Sequence, residues 1–176
     1  DFNLVVNDGT STQTTGFSAW IVGASDNPAI SDGLDSLTLT EANAPLLGSG
    51  SITVTDNDTT DSVNLSTSVA VSGTTRATLP GNATLLAMLT LGNTTVLNDA
   101  SAITTGVNWA FNSGAQHFDY LAAGETLVLT YTVTATDDNG TPLSDSETVT
   151  ITIIGTNDTP TLSASRTTAT YTDTAA

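Results

Sequence analysis

The chemistry-bearing residues of this chain are carboxylates, and they are gathered rather than spread. Eighteen Asp and Glu stand against two cations, Arg76 and Arg166, for a formal net charge of -16. Asp26, the group Asp56, Asp58 and Asp61, the pair Asp137 and Asp138, and Asp158 all fall where alternating stretches stop. Like charges held together repel and raise one another's pKa, so a fold that collects them fits a cation held among them. Divalent ions are the ligand class this charge favours. Nucleic acid and anionic membrane surfaces reward the opposite sign. Other chemistries find few residues. The chain has no cysteine, hence neither a zinc-thiolate site nor a disulfide framework. His117 is its one histidine, so a histidine-based metal site or triad is not expected. A carboxylate pair could cleave a glycoside, but acids at strand termini without an aromatic cleft make a poor glycosidase. The expectation is a non-catalytic chain.

The elements that must position these acids are strands. Threonine makes up roughly a fifth of the residues, which suits sheets with a solvated face and is poor helix composition. In Tyr131–Pro160, Val133 and Ala135 alternate with Thr132, Thr134 and Thr136, and Val149, Ile151 and Ile153 alternate with Thr148, Thr150 and Thr152. A Gly/Pro/Asp/Ser turn separates them, so the stretch reads as a long hairpin with one apolar and one hydroxylated face. The chain opens the same way, with Phe2–Gly9, a polar turn, then Phe17–Gly23. Asp8 matches Asp137, Gly23 matches Gly155, and Asp26-Asn27-Pro28 matches Asp158-Thr159-Pro160. A self-similarity at about 130 residues marks tandem modules. Residues 1–27 are then the terminal hairpin and linker of a preceding module, 28–160 a complete module, and 161–176 the first strand of a following one. No signal peptide is visible, so the chain is expected to be a mature or excised piece.

Within 28–160 the expected strands are Ser36–Thr40, Ser51–Thr55, Val63–Val71, Val107–Phe111, Thr126–Thr136 and the last strand of the hairpin. Pro45, Gly48 and Gly50 read as a turn. Thr84–Leu91 suits a short buried helix or a doubly buried strand equally. About seven strands with frequent turn signals predict an all-β antiparallel sandwich. Trp109 is expected in its core, while Trp20 falls opposite Phe17 and Ile21 by strict alternation. No apolar run approaches the ~20 residues of a membrane span.

LTEANAPLLGSGSITVTDNDTTDSV, LAAGETLVLTYTVTATDDNG and GTNDTP, in that order, resemble the VCBS repeats of large bacterial RTX-type adhesins, and the closing stretch resembles the end of a cadherin-like domain. The resemblance covers about residues 28–160. It implies an Ig/cadherin-like sandwich, a secreted or cell-surface location, and calcium at the joints between modules. Strand direction then sorts the acids. Asp56, Asp58 and Asp137, with Asp61 or Asp138, are expected at one end beside the incoming Asp26 and Asn27. Glu41, Glu125, Asn157 and Asp158 are expected at the other end. Asp32, Asp35, Asp99, Asp119 and Asp145 read as ordinary turn residues. Where the pattern usually has an aspartate this chain has Ala122 and Ala123.

The function so implied is an extender of an adhesin, its linkers stiffened by calcium and its partners the neighbouring modules. One alternative is a filament subunit, identical copies joining head to tail by strand addition through unmatched edges. Another is a carbohydrate-binding module for surface polysaccharide, with Trp20 and scattered tyrosines as its available platform.

Overall fold

The computed structural model describes residues 1–32, 36–76, 78–98, 102–160, 162–163, 168, 170 and 172–173. The first two strands, β1 (Phe2–Asn7) and β2 (Thr12–Phe17), form a two-stranded antiparallel hairpin. The remaining strands are β3 (Ala29–Asp32), β4 (Ser36–Thr40), β5 (Leu47–Thr55), β6 (Val63–Gly73), β7 (Leu89–Leu91), β8 (Thr95–Val96), β9 (Thr104–Asn112), β10 (Thr126–Asp137) and β11 (Ser144–Ile154). They make two sheets, ordered β4-β11-β10-β6-β8 and β3-β5-β9-β7. All pairings are antiparallel except β4 with β11, which runs parallel. The chain is an all-β sandwich of two sheets, as its alternation implies.

Period-two patterning builds the core. Leu127, Leu129, Tyr131, Val133 and Ala135 of β10 are fully buried, and Val149, Ile151 and Ile153 of β11 join them. From the facing sheet Ile52, Val54, Val107, Trp109 and Phe111 close the layer. Phe111 meets Tyr131 edge to face at 6.3 Å between ring centroids, and the Tyr131 hydroxyl donates to the Leu85 carbonyl at 2.8 Å. Leu85 belongs to α1 (Asn82–Leu86), a single turn that β7 follows. Thr84–Leu91 is therefore both elements that its apolar run allowed.

Three sequence expectations need correction. Gly48 and Gly50 lie inside β5 rather than in a turn. A Cβ on Gly50 would come 2.5 Å from Cζ2 of Trp109, its partner across the ladder, so the glycine makes room for the indole. The first strand of the sandwich is split. β3 pairs with β5 in one sheet, and after the residues that follow it the chain enters the other sheet as β4. Finally, the second strand of the opening hairpin is Thr12–Phe17, not Phe17–Gly23. Asp8 nucleates a turn, its Oδ1 accepting from the backbone N–H groups of Thr10 and Ser11, with Gly9 at φ +93°.

That hairpin repeats the register of β10–β11. Asn7 pairs with Thr12 as Thr136 pairs with Ser144, and Phe2 pairs with Phe17 as Tyr131 pairs with Val149. Phe2, Leu4, Val6 and Phe17 hold the places of Tyr131, Val133, Ala135 and Val149, which face the core. In the opening hairpin the same face is bare, with Phe2 and Phe17 each 57% exposed and stacked at 5.2 Å. The strand expected in 161–176 falls mostly outside the described residues, and those described there are not in a strand. Among the described residues no helix is long and apolar enough to cross a membrane.

Candidate metal centres at the two ends of the sandwich

Strand direction decides which acids meet. Ala29 pairs with Thr55, and Val63 pairs with Asp137, so the end of β5, the 56–62 loop, the end of β10 and the incoming linker share one end. Thr40 pairs with Ile154, and Thr126 also pairs with Ile154, so Glu41, Glu125 and the outgoing linker share the other. Both groupings agree with the sorting by strand direction.

At the first, upper end Asp56 and Asp137 are each only 2% exposed. Asp56 accepts from the Asp58 N–H through Oδ1 at 2.9 Å. Asp137 accepts from Leu143 N–H at 3.0 Å and Asn139 N–H at 3.3 Å through its own Oδ1. Their Oδ2 atoms are buried without a hydrogen-bond partner. A buried polar atom left unpaired costs about 1–3 kcal/mol, more for a charge, so two at one end are an expensive arrangement for the protein alone. Burial pushes the Asp56 carboxyl above its ordinary range, and the charges of Asp58, Asp61 and Asp137 push the same way against the Asp58 N–H.

The linker is tied into this end. The backbone N–H of Asp26 donates to Asp58 Oδ2 at 2.6 Å. The Asn139 side chain donates to Ser25 Oγ at 2.8 Å and to Asp61 Oδ2 at 3.3 Å. Asn27 is exposed beside the buried Pro28. Asp61 is thereby tied to Asn139 and the linker, but among the described residues no three acids of this end bring carboxylate oxygens within 4.8 Å of one another. Asp138 is otherwise engaged, since both of its oxygens accept from Ser62, which holds its pKa below the usual carboxylate value. Asp145 accepts from the Ile30 N–H at 3.0 Å, a structural role. Asp35 and Asp99, and the side chain of Asp32, lie outside the described residues.

At the second, lower end Glu41 is 4% exposed and its Oε2 has no partner. Burial raises its pKa and the charge of Asp158 raises it further, a hydrogen bond from the Thr156 backbone opposes them, and Asp119 adds to the rise. Carboxylate oxygens of Glu41, Asp119 and Asp158 all lie within 4.8 Å of one another. Asn157 lines an adjoining cleft with Asp119 and Asp158. Asp119 does sit in a turn, as expected, and its carboxylate lies beside those of Glu41 and Asp158. Glu125, taken as a ligand, is bound elsewhere, with both oxygens accepting from Arg76 Nη2 at 3.0 and 2.9 Å. Its Oε2 also accepts from the Ala122 N–H, and these contacts lower its pKa.

All these donors are oxygens, and most are carboxylates. Oxygen ligands in flexible loops suit calcium, which takes six to eight at about 2.3–2.6 Å. The orphaned oxygens of Asp56, Asp137 and Glu41 fit such an ion. As for the aromatic residues, Trp109 is 1% exposed and core, whereas Trp20 is 88% exposed.

No protein-family model matches the chain, and no curated protein matches it. Solved structures that resemble it include the ASH/PapD-like domain of human CEP192 (PapD-like domain 7). That domain is 14% identical with a TM-score of 0.44, and the match covers 82% of this chain and 96% of that one. The CooA pilin subunit from enterotoxigenic Escherichia coli is 12% identical with a TM-score of 0.41, over 76% and 100%. The periplasmic chaperone SfaE is 10% identical with a TM-score of 0.39, over 73% of this chain and 57% of that one. The assignment as a sandwich rests on the strand pairing described above.

Proposed function

We propose that this chain is a non-catalytic stretch of a tandem-repeat rod at a bacterial cell surface, with calcium stiffening the joint between one sandwich and the next. The observation that carries this reading is the pair Asp56 and Asp137, each buried with one unpaired oxygen at the end where the linker arrives. An ion held by Asp56, Asp58, Asp61 and Asp137 turns their repulsion into attraction. Because Asp58 already holds the Asp26 peptide, the same ion fastens the linker, so successive modules lose freedom about the joint. The shared register of the opening hairpin and β10–β11 supports the tandem reading, in which the opening hairpin is the ending of a preceding module. Thermal melts in EDTA and in calcium test the proposal. A melting temperature that rises with calcium supports it, and an unchanged melt overturns it.

A second reading, a filament of identical subunits, is favoured by the bare apolar face of β1–β2 and by Trp20, Ile21 and Val22, which are 88%, 98% and 90% exposed. Strand addition from another copy would cover them. Light scattering across concentration separates the two readings, because a rod segment stays monomeric where a filament subunit grows.

A further inference from the structure

The loop between β9 and β10 brings an acid to the lower joint from a position that the adhesin resemblance does not supply. Phe118 and Leu121 are each 1% exposed, and the Leu121 N–H donates to the Phe118 carbonyl at 2.9 Å. The two residues between them, Asp119 and Tyr120, form the tip of a turn whose feet are set in the core. The linker is locked to the same loop. Gly155 N–H donates to the Glu125 carbonyl at 2.8 Å, and Gly124 N–H donates to the Gly155 carbonyl at 3.1 Å. A Cβ on Gly155 would lie 2.5 Å from the Ala122 carbonyl oxygen, so the contact requires glycine. Asp158, just beyond, is thereby held near Asp119. Glu41 approaches from β4, its backbone N–H fixed to the Ile154 carbonyl at 2.8 Å.

We propose that the lower end holds a divalent cation through Glu41, Asp119 and Asp158, with Asp119 providing the carboxylate that Glu125 withholds by pairing with Arg76. This rests on the calcium reading of the joints and names the ligands of one of them. Two independent observations meet here. The carboxylate oxygens lie within 4.8 Å of one another, and Glu41 is 4% exposed with Oε2 unpaired. Asn43 and Thr159 line a cleft together with Asp119 and Asp158 and offer further oxygens. All three carboxylates lie within residues 28–160. Arg76 has a separate role. It donates to both the Tyr120 carbonyl, at 3.1 Å, and Glu125, bracing the loop that carries Asp119.

Calcium titration by calorimetry tests this on the full chain carrying Asp56→Asn and Asp137→Asn, which silences the upper end. One binding event is expected to remain. Adding Asp119→Asn is expected to weaken it by roughly tenfold or more, while adding Glu125→Gln is expected to change it by less than about threefold. Asp119 is exposed, so its substitution leaves the core intact. An affinity untouched by Asp119→Asn, or one abolished by Glu125→Gln alone, overturns the assignment. If the unmodified chain binds calcium but the upper-end variant binds none, this inference fails while the upper joint stands. If the unmodified chain binds none, both fail.

Discussion

Replacing Asp56 by asparagine separates a metal ligand from a structural carboxylate, because it keeps the shape and removes the charge. In EDTA the wild-type carboxylate is 2% exposed, with Oδ2 unpaired and with Asp58, Asp61 and Asp137 raising its pKa by their charge. Removing that charge relieves the repulsion, and the amide can donate to a neighbouring carboxylate where Oδ2 had no donor, so the metal-free protein is expected to gain about 1–3 kcal/mol. For a chain of this size about 1 kcal/mol corresponds to roughly 2–4 °C, so the variant is expected to melt about 2–12 °C above wild type. In calcium the wild type recovers most of this difference or overtakes the variant. With a dissociation constant of about 0.1 mM, the tight end of the extracellular range, roughly 10 mM calcium adds about 2.7 kcal/mol to the wild type per site. That is a rise of about 5–11 °C, most of which the variant loses at this end. Paired melts followed by circular dichroism give all four values. A variant that melts lower than wild type in EDTA, yet gains as much from calcium, would refute the reasoning.

Further outcomes follow from the same contacts. Gly50→Ala places a methyl against the buried Trp109 ring and is expected to cost about 1–3 kcal/mol by overpacking, leaving the calcium-dependent gain unchanged in the same melts. Because burial and neighbouring charges raise the pKa values of Asp56 and Glu41, these groups favour the metal-free fold most when protonated. That contribution is lost as pH rises through their raised values, where they become charged and available to a cation. The rise in melting temperature with calcium is therefore expected to shrink as pH falls toward the carboxylate range, as melts at a series of pH values will show. Acrylamide quenching is expected to resolve two tryptophans, a quenchable Trp20 at 88% exposure and a protected Trp109 at 1%. A single uniform quenching constant would contradict the placement of both.

The alternation of β10 and β11 was legible because their buried residues are apolar at every second position, and β11 lies between two strands of one sheet. The opening hairpin was harder. Thr12–Phe17 carries no apolar alternation, so the apolar run beyond it attracted the strand, although the match of Asn7 and Thr12 to Thr136 and Ser144 fixes the correct register. Gly48 and Gly50 read as a turn because nothing local announces that Leu37 and Trp109 need their space. The grouping of acids at the upper end was readable because they lie at strand ends whose directions follow from simple connectivity. At the lower end, the pairing of Glu125 with Arg76 joins distant parts of the chain. Asp119 could be found only once Phe118 and Leu121 were seen in the core. The one available signal was the pair of alanines where an aspartate was expected.

Crystals grown in calcium, with anomalous differences collected at long wavelength, test the central claim most directly. An ion is expected within about 2.3–2.6 Å of Asp56 Oδ2 and Asp137 Oδ2, with the linker at Ser25 and Asp26 ordered beside it. Density showing only water or a shared proton between these carboxylates, in crystals saturated with calcium, would contradict it.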